Sequence, residues 1–266
     1  MVIDFANLEP VVDLIPAATL VVNGTNADNA INYIVGPNSG SAAAPFNGAA
    51  TGLVSVDGFE TIEFNNKTTL TLNALAGDDV INLNYQNFPA SFSPTGLGAG
   101  LAAGVAAITV NAGDPTGSDK LVYNNVAGVN DFTLLRPAAQ GAGTILPGTV
   151  GNQPTVGYTG LEELELVGQL ADVGGGLGDT FGIAGTAGND TFEFTPSSTP
   201  DAGSFAGIVD ANNATGTGPF PLPAITYNSM MAFGTTLLAI NTDAANQGGT
   251  DTVVYNGTSV NDVFNV

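Results

Sequence analysis

The sequence predicts an all-β protein and favours a parallel β-helix, a solenoid-like repeat architecture in which coils of short strands stack on one another. Short segments alternate apolar and polar residues, as in residues 69–73 (TLTLN), 80–84 (VINLN) and 107–111 (AITVN). A period of two residues is typical of strands. The 36 Gly and 15 Pro lie along the whole chain and separate these segments as turns.

Strand spacing and turn composition distinguish between two β architectures. Consecutive strands, such as those at 60–64, 70–73 and 80–84, begin roughly ten residues apart, and the turns between them are rich in Asn, Asp and Gly. This pattern is typical of stacked coils. A β-sandwich or jelly-roll array is the alternative, because dipeptides such as Asp57-Gly58 and Asn47-Gly48 favour two-residue hairpin turns.

Internal repeats support the solenoid. One block, Gly-Thr-x-x-Asn-Asp followed by alternating apolar residues, occupies 185–194 and returns at 257–266. A second block, which alternates around a Gly and a Glu, occupies 54–64 and 156–166. A third joins two apolar strands through a Gly/Asp turn, as at 70–83.

These blocks predict one elongated domain over residues 1–266. Its degenerate repeats span approximately 23–124, 125–183 and 184–256, with partial repeats at 1–22 and 257–266. Because the chain begins and ends within a repeat, we expect either a segment of a longer repeat protein or subunits that join end to end.

Charge and composition exclude several classes of partner and chemistry. Three basic residues stand against 24 acidic ones, which gives a net charge of −21. A phosphate backbone needs a basic patch, so we expect no nucleic-acid partner. No apolar stretch is long enough for membrane insertion. Without Cys, His or Trp, the chain lacks the usual ligands of zinc, haem and iron–sulfur clusters.

Acidic turns are the candidate metal-binding positions. They occur as Gly-x-Asp-x-apolar elements or in oxygen-rich loops, and their candidate calcium ligands are Asp78, Asp79, Asn189, Asp190, Asp114 and Asp119. Oxygen ligands suit a hard cation such as calcium. The alternative is structural, because an Asp side chain at the start of a strand accepts hydrogen bonds from backbone N–H groups.

The same elements resemble the haemolysin-type (RTX) calcium-binding repeat, Gly-Gly-x-Gly-x-Asp-x-apolar-x. Residues 77–81 and 188–192 carry the resemblance, although the copies are isolated rather than tandem. Taken together, the blocks are also similar to those of very large, repeat-rich bacterial exoproteins. That resemblance implies an extracellular or cell-surface location, although residues 1–5 show no signal-peptide pattern.

Paired carboxylates raise the alternative of a carbohydrate-active β-helix enzyme. The candidates are Glu60, Glu63, Glu162, Glu163 and Glu165. Glu60 and Glu162 occupy equivalent positions of the second block, which favours a structural role over a unique catalytic site. We therefore expect no enzymatic activity.

The sequence thus favours a structural subunit of an extracellular fibre or surface layer that self-associates through its terminal strands. A calcium-dependent adhesin or binding module, in contact with a polysaccharide or a cell surface, is the alternative. Thr and Asn at regular strand positions also raise the hypothesis of an ice-binding face. The sequence argues against that hypothesis, because the Thr positions keep no strict two-dimensional register along the chain.

Overall fold

A computed structural model of the chain describes residues 11–48, 51–84, 107–113, 117–125, 132–147, 153–168, 179–186, 188–199, 202–210, 219–229, 238–241 and 250–256. These residues form strands joined by turns, and the predicted all-β class is confirmed. Within them, no helix reaches the length and apolarity that a membrane crossing needs.

The strands form two open sheets in which most neighbours are parallel. Sheet A is 12-stranded: β1 (Val11–Asp13), β3 (Ala30–Val35), β4 (Gly52–Val56), β5 (Ile62–Phe64), β7 (Val80–Asn84), β9 (Lys120–Asn124), β13 (Glu163–Val167), β15 (Thr191–Pro196), β16 (Gly203–Val209), β17 (Phe220–Pro221), β18 (Ala224–Asn228) and β20 (Thr252–Tyr255). Sheet B is 8-stranded: β2 (Ala17–Asn23), β6 (Lys67–Asn73), β8 (Ala107–Asn111), β10 (Phe132–Ala139), β11 (Ala142–Pro147), β12 (Thr155–Thr159), β14 (Thr180–Ala184) and β19 (Leu238–Asn241).

Along the chain, the strands alternate between the two sheets. From β1 to β20, each described segment of one or more consecutive strands in sheet A is followed by a segment in sheet B. Most of these segments consist of one strand. Successive strands of the same sheet then pair in parallel, as β7 does with β9 and β6 with β8. This alternation makes equivalent residues of successive strands in a sheet direct neighbours.

Antiparallel strands occur where a segment of the chain within one sheet contains a hairpin. β4 lies antiparallel between β3 and β5, β11 between β10 and β12, and β16 between β15 and β18. The Asp57-Gly58 dipeptide lies in the hairpin connection between β4 and β5, which spans residues 57–61 and is longer than the two-residue turn that the dipeptide favours. Asp57 has a φ of 47°, and the amide of Phe59 donates to the carbonyl of Val56 at 3.0 Å.

One repeat pair therefore differs in its structural context. Residues 54–64 stay within sheet A as the β4–β5 hairpin, whereas residues 156–166 pass from β12 in sheet B to β13 in sheet A. The physical reason lies in the turn. Asp57-Gly58 reverses the chain, while Leu161 and Glu162 follow Gly160 (φ 70°) and carry the chain over to the other sheet.

The core is one apolar cluster with residues from both sheets. Inward positions of neighbouring strands are in register and form continuous rows. One row of sheet A comprises Ile31, Ile81, Leu121, Leu164 and Ile225, all at most 2 % exposed. Phe181 of sheet B contacts Tyr227 of sheet A with ring centroids 5.1 Å apart. Full burial stabilises each such side chain by about 1.5–3 kcal/mol.

Candidate functional site

The predicted acidic residues lie in a hydrogen-bonded stack at the corner where the chain enters sheet A. Asn29, Asp79, Asp119 and Glu162 each immediately precede a strand, namely β3, β7, β9 and β13. The amide of Asn29 donates to Oδ1 of Asp79 at 2.7 Å, and the amide of Asp79 donates to Oδ1 of Asp119 at 2.8 Å. The amide of Asp119 donates to Oε2 of Glu162 at 3.0 Å. We call this stack the inner ladder.

A second stack runs beside the first, one residue earlier in each turn. The amide of Asp78 donates to Oδ1 of Asp28 at 2.9 Å, and the amide of Ser118 donates to Oδ1 of Asp78 at 3.0 Å. In this outer ladder, each carboxylate accepts from the following turn of the chain. In the inner ladder, each accepts from the preceding one, so the two ladders have opposite polarity.

The Gly of the Gly-x-Asp element is required because the turns stack closely. A Cβ on Gly77, where φ is +121°, would lie 2.6 Å from the carbonyl carbon of Ala27. A Cβ on Gly117 would lie 2.5 Å from the carbonyl oxygen of Gly77. The motif is thus explained by backbone packing at glycine and by amide capping at aspartate.

Two carboxylates of the inner ladder are buried with one oxygen each unused. Asp79 and Asp119 are 0 % exposed, and among the described residues their Oδ2 atoms have no hydrogen-bond partner. Burial raises the pKa of both carboxyl groups, that of Asp119 to about 6. Neighbouring negative charges raise the pKa of Asp119 further: Asp79, Glu162 and Asp78. The ladder therefore holds negative charge in surroundings that disfavour it.

The same two-ladder pattern recurs at the other end of the described chain. The amide of Asp190 donates to Oδ1 of Asp251 at 2.9 Å, as in the inner ladder, and the amide of Thr250 donates to Oδ1 of Asn189 at 2.7 Å, as in the outer one. Oδ2 of Asp190 accepts from the amide of Thr186 at 2.5 Å, and Oδ1 accepts from the amide of Asp210 at 2.8 Å. Both of its oxygens are engaged within the protein.

The predicted metal ligands are thus distributed over two places. Asp78, Asp79 and Asp119 lie together in the first pair of ladders, and Asn189 and Asp190 lie in the second. Asp114 falls outside the described residues. In the part of the chain that the structure describes, no group of three or more Asp or Glu side chains is arranged to hold a metal ion.

The glutamates that raised the hypothesis of a glycosidase serve different local contacts. Glu63 is 3 % exposed and accepts from the amide of Asn38 at 3.0 Å and from the hydroxyl of Thr51 at 2.5 Å. Glu165 pairs with Lys120 at 2.7 Å. Glu162 belongs to the inner ladder, while Glu60 and Glu163 are exposed.

Sequence reasoning missed a third stack, which lies at the ends of strands in sheet B. Nδ2 of Asn73 donates to Oδ1 of Asn23, and Nδ2 of Asn111 donates to Oδ1 of Asn73, both at 2.7 Å. The hydroxyl of Thr159 donates to Oδ1 of Asn111 at 3.0 Å. The signal was present in the sequence, because three strands end in the same apolar-x-apolar-Asn pattern. The x position is Val21 in β2, Thr71 in β6 and Thr109 in β8.

Comparisons with protein-family models, with curated proteins and with solved structures give no match for this chain.

Proposed function

We propose that this chain is a non-enzymatic structural module, a β-solenoid segment of a bacterial extracellular fibre or surface layer whose copies associate end to end through terminal strands. The observation that carries this proposal is the exposed apolar end of the core at β20. Val253 and Tyr255 pair with the buried Phe192 and Phe194 of β15. They are nevertheless 51 % and 43 % exposed. Apolar side chains left open at the end of the stack of described strands favour a further layer.

The opposite end of the described stack also presents apolar side chains. Val12 in β1 is 40 % exposed and Ile15 in the following turn is 57 % exposed. Each end therefore offers an apolar surface to the other, which is the requirement of a head-to-tail contact.

Strand direction supports the same geometry. Among the described strands, β4 and β16 run against the others of sheet A, and β11 runs against the others of sheet B. The end strands β1 and β20 thus run in the same direction, and so do β2 and β19. A second copy beyond β20 can add its β1 as one more parallel strand, as successive coils of a solenoid do.

The large negative charge sets the conditions for association. Copies that each carry −21 repel one another. Salt screens such repulsion over about 8 Å at physiological ionic strength, whereas the apolar contact is short-ranged. We therefore expect assembly to increase with ionic strength and with protein concentration.

Electron microscopy and light scattering at rising protein concentration, at low and at physiological ionic strength, test the proposal. We expect linear arrays at physiological ionic strength and monomers at low ionic strength. Tyr255→Lys places a charge on the exposed end and should abolish the arrays. Val80→Lys is the matched control, because Val80 is 42 % exposed on β7, which has a neighbour on each side. Monomers under every condition would refute end-to-end assembly.

A second candidate function, a calcium-dependent binding module, is favoured by the unused oxygens of Asp79 and Asp119. A bound cation would supply the partner that these oxygens lack among the described residues, and carboxylate oxygen suits calcium. It would also offset the charge of Asp78 and Glu162 nearby. We propose that calcium stabilises the inner ladder.

Thermal unfolding in calcium and in EGTA tests this second candidate. A cation that binds only the folded state raises the midpoint of unfolding, so the midpoint should be higher in calcium. Asp119→Asn should remove the difference, while Glu60→Gln, at an exposed turn position, should keep it. Equal midpoints in calcium and EGTA would eliminate the calcium role and leave the structural proposal intact.

A further inference from the structure

The outward face of sheet B is a regular grid across β2, β6, β8 and β12. These four strands are consecutive neighbours and all parallel. Side chains that point away from the core alternate with buried ones. We call the outward set the Thr/Asn face: Thr19, Val21, Asn23, Thr69, Thr71, Asn73, Ala107, Thr109, Asn111, Thr155, Gly157 and Thr159.

The strand register aligns this face in three rows. Thr69 pairs with Thr19 and with Ala107, and Thr155 completes that row. The middle row contains Val21, Thr71, Thr109 and Gly157, and the third contains Asn23, Asn73, Asn111 and Thr159. The sequence hides this order, because the intervals between successive Asn residues of the third row are 50 and 38 residues. The structure thus brings the Thr positions into a two-dimensional register that the sequence argued against, with interruptions at Val21, Ala107 and Gly157.

The Thr/Asn face is uncharged, although the chain has a net charge of −21. None of its residues is acidic or basic, although the chain has 24 acidic residues. The outward face of sheet A, by contrast, carries Lys120, Glu163 and Glu165. All side chains of the Thr/Asn face are exposed or half-buried, so they are accessible. The face offers hydroxyl, amide and methyl groups without the strongly bound water of ions.

Hydrogen bonds within the face hold its side chains in place. The amides of Asn23, Asn73 and Asn111 form a ladder, and the hydroxyl of Thr69 donates to that of Thr19 at 2.8 Å. Side-chain ladders of this kind stabilise flat sheets. A surface whose side chains are already ordered loses little conformational entropy when it binds.

The spacing of the grid follows from the geometry of a β-sheet. Neighbouring strands lie about 4.8 Å apart, and alternate residues of a strand lie roughly 6.6 Å apart. Both distances are similar to the repeats of water oxygens on the faces of hexagonal ice. Threonine suits such a surface, because its hydroxyl bonds to ordered water while its methyl group excludes disordered water.

We propose that the Thr/Asn face binds ice. The hydroxyl groups of its threonines bond to water molecules that are ordered as in the ice lattice, and the methyl groups occupy the spaces between them. Water-mediated bonds of this type are nearly as favourable as direct ones. The inference does not depend on end-to-end assembly, because nine of the twelve positions of the face lie on β6, β8 and β12, inside sheet B.

Measurements of thermal hysteresis, ice-crystal shape and ice recrystallisation with the purified chain test the proposal. We expect a hysteresis gap and faceted crystals. Thr71→Lys and Thr109→Lys, in the middle row, should lose most of the activity. Thr226→Lys is the control, because Thr226 is an exposed outward residue of β18 in sheet A, between β13 and β16, and this variant should retain the activity.

Circular dichroism and thermal unfolding must show that all three variants are folded. A Thr→Val change at position 109 serves if the lysine variant is unfolded, since it replaces only the hydroxyl with a methyl group and should reduce the activity. Absence of hysteresis and of crystal shaping in the unchanged chain would overturn the proposal. Equal losses in the sheet B variants and in Thr226→Lys would do so too. Loss of self-association instead of ice activity in Thr109→Lys would assign the face to a contact between copies.

Discussion

The ammonium nitrogen of Lys67 lies 3.0 Å from Oδ2 of Asp13, and the lysine side chain is 1 % exposed. Nζ also donates to the carbonyl oxygens of Ile15 at 2.6 Å and Asn65 at 3.3 Å. All three donors of the ammonium group are therefore used. The pair ties the turn between β1 and β2 to the start of β6, so it secures the first strands of both sheets.

Removal of the aspartate should destabilise the protein markedly. Asp13→Ala leaves the buried ammonium of Lys67 without its counter-charge, which costs about 3–5 kcal/mol for fully buried pairs. Asp13 is 28 % exposed, so water replaces part of the interaction, and we expect a loss of about 2 kcal/mol. Urea unfolding measures it. The control is Glu165→Ala, which breaks the half-exposed pair with Lys120 and should cost under about 1 kcal/mol. Equal losses would contradict the role of burial.

The inner ladder should make stability depend on pH. The pKa of Asp119 is raised from 3.8 to about 6 in the folded state, so the folded protein binds the proton more tightly than the unfolded chain. The contribution of the Asp119 carboxyl group to the free energy of unfolding is therefore fully present below about pH 4 and is lost as pH rises to about 6.

Unfolding free energies of the unchanged chain and of Asp119→Asn, measured from pH 7 to pH 4, isolate this group. The unchanged chain should gain on the order of 2 kcal/mol relative to the variant over this range. Glu60→Gln removes one exposed negative charge and should show a much smaller change. A constant difference between the unchanged chain and Asp119→Asn would show that Asp119 titrates normally.

Each asparagine of the ladder in sheet B should contribute to the free energy of unfolding according to the number of ladder hydrogen bonds that it makes. Asn73 makes bonds to both Asn23 and Asn111, whereas Asn23 makes one bond in the ladder. Each such bond contributes about 0.5–1.5 kcal/mol. Asn73→Ala should thus cost roughly twice as much as Asn23→Ala in chemical unfolding. Equal costs would contradict the assignment of two ladder bonds to Asn73 and one to Asn23.

Close stacking of turns makes one glycine irreplaceable. A Cβ on Gly113, where φ is +117°, would overlap the carbonyl oxygen of Leu75. Gly113→Ala should therefore lower stability by more than about 1 kcal/mol. Gly157 has nothing within 4 Å of its Cβ position, so Gly157→Ala should be neutral or slightly stabilising. Thermal unfolding of both variants separates the two outcomes.

The sequence was informative wherever a property depends on local pattern. The alternation in residues 69–73, 80–84 and 107–111 predicted β6, β7 and β8, and the Gly-x-Asp elements placed Asp79 and Asp119 at the starts of strands. Both results follow from short-range rules: a period of two residues and amide capping by aspartate.

Sequence pattern could not determine which sheet a strand joins. β4 and β12 have similar alternation and were matched as repeats, yet they lie in different sheets because the turns around them differ. The register of the Thr/Asn face was equally hidden, since loops of unequal length separate Thr19, Thr69 and Thr109. Nor does local pattern show that Lys67 is buried, because its partner Asp13 lies far away in the chain.

The hydrogen bonds between members of the inner ladder, and those between members of the outer ladder, join turns that are direct neighbours in the stack. A repeat duplicated or deleted within the gene would therefore leave the remaining members of each ladder with acceptors and donors of the same kind. Unequal recombination could lengthen or shorten such a protein by whole repeats without compensating mutations elsewhere. The number of strands in the stack would then change in fixed steps, independently of what the faces of the sheets bind.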